Sequence, residues 1–312
     1  MSTPKILLMA PMYEPKLREL EATYACHRWW ESKDPQALAA ALAPDCEIAV
    51  TNGGRGMKAR EMALLPRLKL VACFGVGVDA VDVGYARAHG IAVTNTPDVL
   101  TEDVADMALA LLLATVRRIP QGDRFVREGR WLAGGMAVTQ SLQRRRVGIV
   151  GLGRIGRAIA RRCEAFNTEL GYAGPNRKSD VAYRYFTDVV SLADWADVLI
   201  AACPGGAATY RLVSRAALQA LGPEGTFVNI SRGSVVDQAA LIELLGSGGL
   251  GAAGLDVYDD EPNVPAALIA LENAVLHPHQ GSATHPTRSA MGQLVLENVA
   301  AFVAGRPLAT PV

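Results

Sequence analysis

The stretch "VGIVGLGRIG" (147–156) constrains this chain more than any other. It reads as an apolar strand entering a glycine-rich turn and then a helix. Gly151 permits the tight turn, Gly153 lets the backbone approach a pyrophosphate, and Gly156 lets the helix pack closely on the strand. The helix N-terminus adds amide donors and a positive dipole end. Glycines in this pattern are weak evidence alone, but here strand, turn and helix are in register. Such a dinucleotide-binding unit normally carries Asp or Glu about 20 residues further on, to hold the ribose 2′-hydroxyl of NAD. That place falls at Gly174 in "ELGYAGPNRK" (169–178), and the chain offers Asn176, Arg177 and Lys178 instead. Either this is not a dinucleotide site, or it takes a different dinucleotide.

Short apolar runs alternate with helical stretches along most of the chain. One set of candidate strands is 5–10, 46–51, 68–74 and 91–95; a second is 146–151, 169–173, 197–203, 226–231, 254–258 and 274–278. Nearly all are continuous apolar runs, as expected of strands buried on both faces of a parallel sheet. The class is α/β, and the two sets suggest two units. Between them lies "TEDVADMALALLLATVRRI" (101–119), expected to be one long apolar helix capped by Thr101 and running to Pro120. A last helix near 287–304 should end at Gly305, and Pro97 and Pro286 sit near the expected crossings.

The chain has 312 residues, zero formal net charge and half its residues apolar. Zero charge argues against a broad grip on nucleic acid or anionic lipid. Cys26, Cys46, Cys73, Cys163 and Cys203 are odd in number and form no CxxC, the usage of reduced thiols in a cytoplasmic protein. The N-terminal apolar run is too short for a signal peptide or a membrane span and reads as a buried strand.

Three further stretches place chemistry just past successive strand ends. "NISRGSVVD" (229–237) carries Arg232, whose planar fork suits a carboxylate. "GLDVYDDEP" (254–262) carries acids, and "HPHQGSATHP" (277–286) carries histidines. A single arginine, acid or histidine in a loop is usually solvated or structural. Together on one sheet edge, they suit reduction of a 2-oxo acid beside a nicotinamide.

These stretches, with "FGVGVDAVDV", "GIAVTNTPDVLTEDVADMALALLL" and "AGRPLATPV", resemble the D-isomer-specific 2-hydroxyacid dehydrogenase family over essentially the whole chain. The glyoxylate/hydroxypyruvate reductase branch is the most similar. The resemblance implies two doubly wound parallel-sheet domains. A Rossmann coenzyme domain (99–285) would be inserted into a flavodoxin-like substrate domain (1–98 and 286–312). It implies a catalytic trio of Arg232, Glu261 and His279, with Val76, Gly77 and Arg232 receiving the substrate carboxylate. Coenzyme contacts are implied at Thr101, Gly151, Gly153, Arg154, Ile155, Gly156, Asn176, Arg177, Lys178, Cys203, Pro204, Thr209, Ile230, Ser231, Arg232, Asp256, His279 and Gly281. No metal is implied.

The implied activity is reduction of glyoxylate and hydroxypyruvate to glycolate and D-glycerate, with NADP preferred and NAD as the alternative. Hydroxyphenylpyruvate or pyruvate reduction, and a non-catalytic corepressor-like role, are the alternatives. The implied partners are a 2-oxo acid and a second copy of the chain, with no nucleic acid and no membrane. "FVREGRWLAGGM" (125–136) would form a dimer arm, where Trp131 either approaches the partner's site or is an ordinary interface aromatic. Met12, Tyr13, Trp29 and Trp30 are expected mainly in core packing, with a lid role as the alternative.

Overall fold

The computed structural model describes residues 3–312, and the strands among them form two sheets in which every pairing is parallel. The first contains β1 (Lys5–Leu8), β2 (Ala25–Arg28), β3 (Ile48–Asn52), β4 (Leu70–Phe74) and β5 (Ala92–Thr94), in the order β2-β1-β3-β4-β5. The second contains β6 (Arg146–Val150), β7 (Glu169–Ala173), β8 (Arg184–Phe186), β9 (Val198–Ala201), β10 (Thr226–Asn229), β11 (Ala252–Leu255) and β12 (Ala274–Leu276). Its order is β12-β11-β10-β9-β6-β7-β8. The first order is flavodoxin-like and the second is the doubly wound dinucleotide-binding order. Contacts divide the chain into one unit up to Leu100 plus Ser282–Val312, and a second over Thr101–Gly281.

The continuous apolar runs are explained by burial on both faces. Ile6, Leu7 and Leu8 are each at most 1% exposed although successive side chains point to opposite sides. In the first unit Leu7, Ala49, Val71 and Val93 pack with Met57 and Met62; in the second, Leu199, Phe227 and Ala253 pack with Leu218 and Leu241. Trp29 joins the first core from its edge, whereas Trp30 is exposed under the Arg28 guanidinium.

The sequence reading missed β2 and β8, which lie at sheet edges. Their residues are only partly covered, and β2 reads Ala-Cys-His-Arg, so neither presents a continuous apolar run. The single helix expected over 101–119 is also corrected. Helix Thr101–Val116 ends before Pro120, Arg118 turns left-handed at φ 50°, and a separate helix spans Ile119–Arg127 with the proline in its first turn. Proline has no N–H for the fourth residue before it, and its ring clashes with that residue's carbonyl, here Val116. It is tolerated at the start of the next helix. Thr101 is the first helical residue, one position inside the expected cap. The final helix, His285–Val303, closes before Gly305 at φ 64°.

Candidate active site

In the second sheet the chain starts at β6, builds outward through β7 and β8, then returns to the other side of β6 with β9. The strand ends diverge at this reversal and leave a crevice beyond the carboxyl ends of β6 and β9. The turn after β6 sits there. Gly151 has φ 94°, and a Cβ on it would lie 2.8 Å from the Cys203 Cα. A Cβ on Gly156 would lie 2.1 Å from the Gly151 carbonyl oxygen. Gly153 is the opposite case: a Cβ there meets nothing within 4 Å among the described residues, and no side chain caps the helix Arg154–Glu164 that it begins. Open space at this helix N-terminus fits a dinucleotide pyrophosphate.

The neighbouring strand ends supply the other expected coenzyme residues. Cys203 and Pro204 follow β9, and Ile230, Ser231 and Arg232 follow β10. The Ser231 hydroxyl donates to the Cys203 carbonyl and so ties the two strand ends together. The Thr209 hydroxyl donates to the Pro204 carbonyl at 2.7 Å, which shapes its own loop. Beyond β7, Gly174 is half-buried, Asn176 and Arg177 are exposed and Lys178 is intermediate. No carboxylate occupies the position that would receive ribose hydroxyls.

The trio lies past β10, β11 and β12. Glu261 Oε1 accepts the Tyr258 N–H at 3.0 Å, and Oε2 lies 2.6 Å from His279 Nδ1. Partial burial by itself would raise the Glu261 pKa, but the His279 hydrogen bond and charge, the Tyr258 amide and the Arg232 charge together hold it below 4.5. An ionised carboxylate only accepts, so Nδ1 carries the proton and Nε2 is the nitrogen left for chemistry. Arg232 caps the short turn Gly233–Val235. Its main chain is set by buried Asn229, whose amide donates to the Arg232 carbonyl at 2.9 Å and accepts from the Ser231 N–H at 3.0 Å.

His279 has φ 50°, an unusual conformation for a non-glycine residue. Asp256, 1% exposed, holds it there. Its carbonyl accepts the His279 N–H at 2.8 Å, and its carboxylate accepts the Gln280 and Gly281 amides and His277 Nδ1, each at 2.8 Å. His277 is therefore committed to Asp256, leaving His279 as the histidine paired with Glu261. The buried Tyr258 hydroxyl donates to the His277 carbonyl at 3.0 Å, and burial pushes its pKa up to about 12. Asn229, Tyr258 and the bracing role of Asp256 were missed by sequence reasoning. An Asn or Asp ending an apolar strand just before a functional residue was the available signal.

Thr101 opens the helix whose Val104 lies 3.6 Å from a Cβ built on Gly281. Val76 and Gly77 belong to the other unit, after β4. The Val76 carbonyl accepts from the Asn95 amide at 2.9 Å, while the Val76 and Gly77 N–H groups donate to no protein acceptor among the described residues. Two adjacent free amides suit an anion. His285 is also in that unit, 3.0 Å from the Tyr13 hydroxyl.

Comparison with known proteins agrees with this geometry. Residues 109–281 match the D-isomer specific 2-hydroxyacid dehydrogenase, NAD binding domain. Glyoxylate/hydroxypyruvate reductase A of Arabidopsis thaliana is 45% identical over 307 residues, 98% of each chain. Hydroxyphenylpyruvate reductase of Plectranthus scutellarioides is 43% identical over the same length and coverage. An NADPH-dependent glyoxylate/hydroxypyruvate reductase of Sinorhizobium meliloti, solved with NADP and malonate, is 43% identical with a TM-score of 0.94, covering 100% of this chain and 97% of that one. With the family model matched over residues 109–281 and 43–45% identity to these reductases across nearly the whole chain, the chain belongs to the D-isomer specific 2-hydroxyacid dehydrogenase family.

Proposed function

We propose that this protein reduces small 2-oxo acids, glyoxylate and hydroxypyruvate foremost, to 2-hydroxy acids, with NADPH preferred over NADH. The observation carrying the proposal is the 2.6 Å His279–Glu261 pair beside Arg232 on the coenzyme edge of the second sheet. The glycine-rich turn and the amides of Arg154 and Ile155 would hold the pyrophosphate, and Arg177 and Lys178 the 2′-phosphate. When bound, the reduced coenzyme supplies hydride to C2 of the substrate. Arg232 grips the substrate carboxylate and carbonyl oxygen. His279 delivers a proton from Nε2 to the developing alkoxide, and solvent restores it. Glu261 keeps the ring oriented, with Nδ1 turned to its carboxylate and Nε2 toward the substrate.

Hydroxyphenylpyruvate is the second reading, because the relative acting on it is almost as similar as the glyoxylate reductase. Initial rates for glyoxylate, hydroxypyruvate, hydroxyphenylpyruvate and pyruvate, each with NADPH and NADH, separate the two. His279→Ala should lower kcat by about 10²–10⁴-fold and leave the coenzyme dissociation constant within about twofold; wild-type turnover in this variant would overturn the mechanism, and no glyoxylate-dependent NADPH oxidation by the wild-type protein would admit the corepressor-like role.

The reading includes a homodimer. Trp131 (67% exposed), Leu132 (96%) and Val138 (99%) form an apolar segment after helix Ile119–Arg127, as a second copy of the chain would cover. It also includes a cytoplasmic location, which the free cysteines support. No described helix is long and apolar enough to cross a membrane.

A further inference from the structure

The loop after β7 carries the two cations assigned to the 2′-phosphate, and its shape is set from beneath. Tyr172 and Tyr185 are register partners on β7 and β8, with ring centroids 5.3 Å apart. The Tyr172 hydroxyl accepts the Lys178 N–H at 2.6 Å, and the Tyr185 hydroxyl donates to the Gly174 carbonyl at 3.1 Å. One turn into the helix after the glycine-rich turn, Arg157 binds Asp180 through its two terminal guanidinium nitrogens at 2.9 and 3.0 Å. The loop is thus fastened at 174, 178 and 180. Between these points Asn176 and Arg177 are exposed, and the side chains of Asn176, Arg177 and Lys178 form no hydrogen bond or ion pair among the described residues.

Tyr172 is 1% exposed. Its ring fills core space that phenylalanine would fill equally well. Its hydroxyl does something different, fixing one amide of a surface loop. Asp180 supports the same scheme: its carboxyl is held below the usual range chiefly by the Arg157 hydrogen bond, so it stays ionised and keeps Arg157 occupied.

We propose that the Tyr172 hydroxyl is a positioning group for coenzyme selection, holding the Gly174–Lys178 loop in its phosphate-receiving shape before ligand arrives. This rests on the reading that Arg177 and Lys178 receive the 2′-phosphate. A loop already in its bound shape loses less freedom on binding, so its cations bind more tightly. NADP contains the phosphate that draws on this order, and NAD does not.

The test is calorimetric binding of NADP⁺ and NAD⁺ to the full-length enzyme, with circular dichroism melts as the folding check. Tyr172→Phe should weaken NADP⁺ about fivefold, the worth of one net hydrogen bond, and NAD⁺ by less than about twofold. In an Arg177→Ala/Lys178→Ala background, Tyr172→Phe should have no further effect on NADP⁺. Equal weakening of both coenzymes, no weakening, or an additive loss in that background overturns the inference. If removing the cations is selective for NADP⁺ but Tyr172→Phe is not, this inference alone falls. If removing the cations is not selective, the phosphate reading falls and takes the inference with it. Should Tyr172→Phe fail to fold, Tyr185→Phe, which frees the Gly174 end, is held to the same outcomes.

Discussion

Gly174→Asp restores the acid that dinucleotide sites usually carry, and it should invert coenzyme preference. The substitution is sterically available: a Cβ at Gly174 meets nothing within 4 Å among the described residues, and its φ lies outside the left-handed region. Tyr185 binds the Gly174 carbonyl, a main-chain group, so that anchor survives. A carboxylate and a 2′-phosphate of charge about −2, roughly 6 Å apart, repel by about 1.4 kcal/mol at the dielectric of water and about 5.5 kcal/mol at an effective dielectric of 20. Gly174 is half-buried beside an exposed loop, so about 2 kcal/mol is appropriate, near a 30-fold loss for NADPH. A new bond to the ribose hydroxyls contributes about 1 kcal/mol, near fivefold, for NADH. The NADPH/NADH ratio of kcat/KM should therefore fall about 10²-fold, from initial rates with a saturating 2-oxo acid. Raising the salt concentration should shrink the NADPH penalty, since exposed charges are screened. A ratio within about threefold of wild type would mean that the loop after β7 does not receive the phosphate.

Glu261→Gln should lower kcat while sparing coenzyme affinity. Because the Glu261 pKa is held below 4.5, its contribution is complete above that value and lost only as pH falls through the folded value. The wild-type to variant ratio of kcat should thus be flat between about pH 5.5 and 8 and shrink only in stronger acid; a ratio that changes through neutrality would place the titration elsewhere. Gly233→Ala would put a Cβ 1.9 Å from the Tyr258 carbonyl carbon, against backbone that cannot yield locally. A loss of about 3 kcal/mol, read from denaturant midpoints, is expected, together with reduced kcat, since the displaced segments carry Arg232 and Glu261. Val126→Asp with Leu132→Asp, at positions 55% and 96% exposed, should halve the solution mass by light scattering; an unchanged mass would place the interface elsewhere.

The reach of sequence reasoning followed the range of the physics involved. A strand buried on both faces must be apolar throughout, so ten of the twelve described strands were legible, from 5–10 to 274–278, as was the α/β class. Chain direction in a parallel sheet then puts every strand's carboxyl end on one edge, which is why the arginine, acids and histidines of 229–237, 254–262 and 277–286 could be grouped before any coordinates; the family resemblance singled out Arg232, Glu261 and His279 among them. The glycine-rich turn was legible because each glycine answers a local steric demand, and Gly174 because a missing charge is as visible as a present one. The family resemblance, not the residue pattern, supplied the return of the last helix to the first unit.

Only the tertiary structure decided the rest. Edge strands β2 and β8 are half-covered, so their composition does not announce them. The long helix was misread because proline's clash falls on the carbonyl four residues earlier, and packing decides whether the chain kinks or, as at Arg118, restarts. Which histidine pairs with Glu261 was decided by Asp256, distant in sequence, whose buried carboxylate claims His277 and holds His279 in a left-handed turn. The loop after β7 is fastened by hydroxyls on Tyr172 and Tyr185, which become neighbours only when β7 and β8 pair. Local sequence determines which groups are present and on which sheet edge they emerge. Which of them are tied down, and which are left to act, depends on hydrogen bonds between residues that meet only after folding.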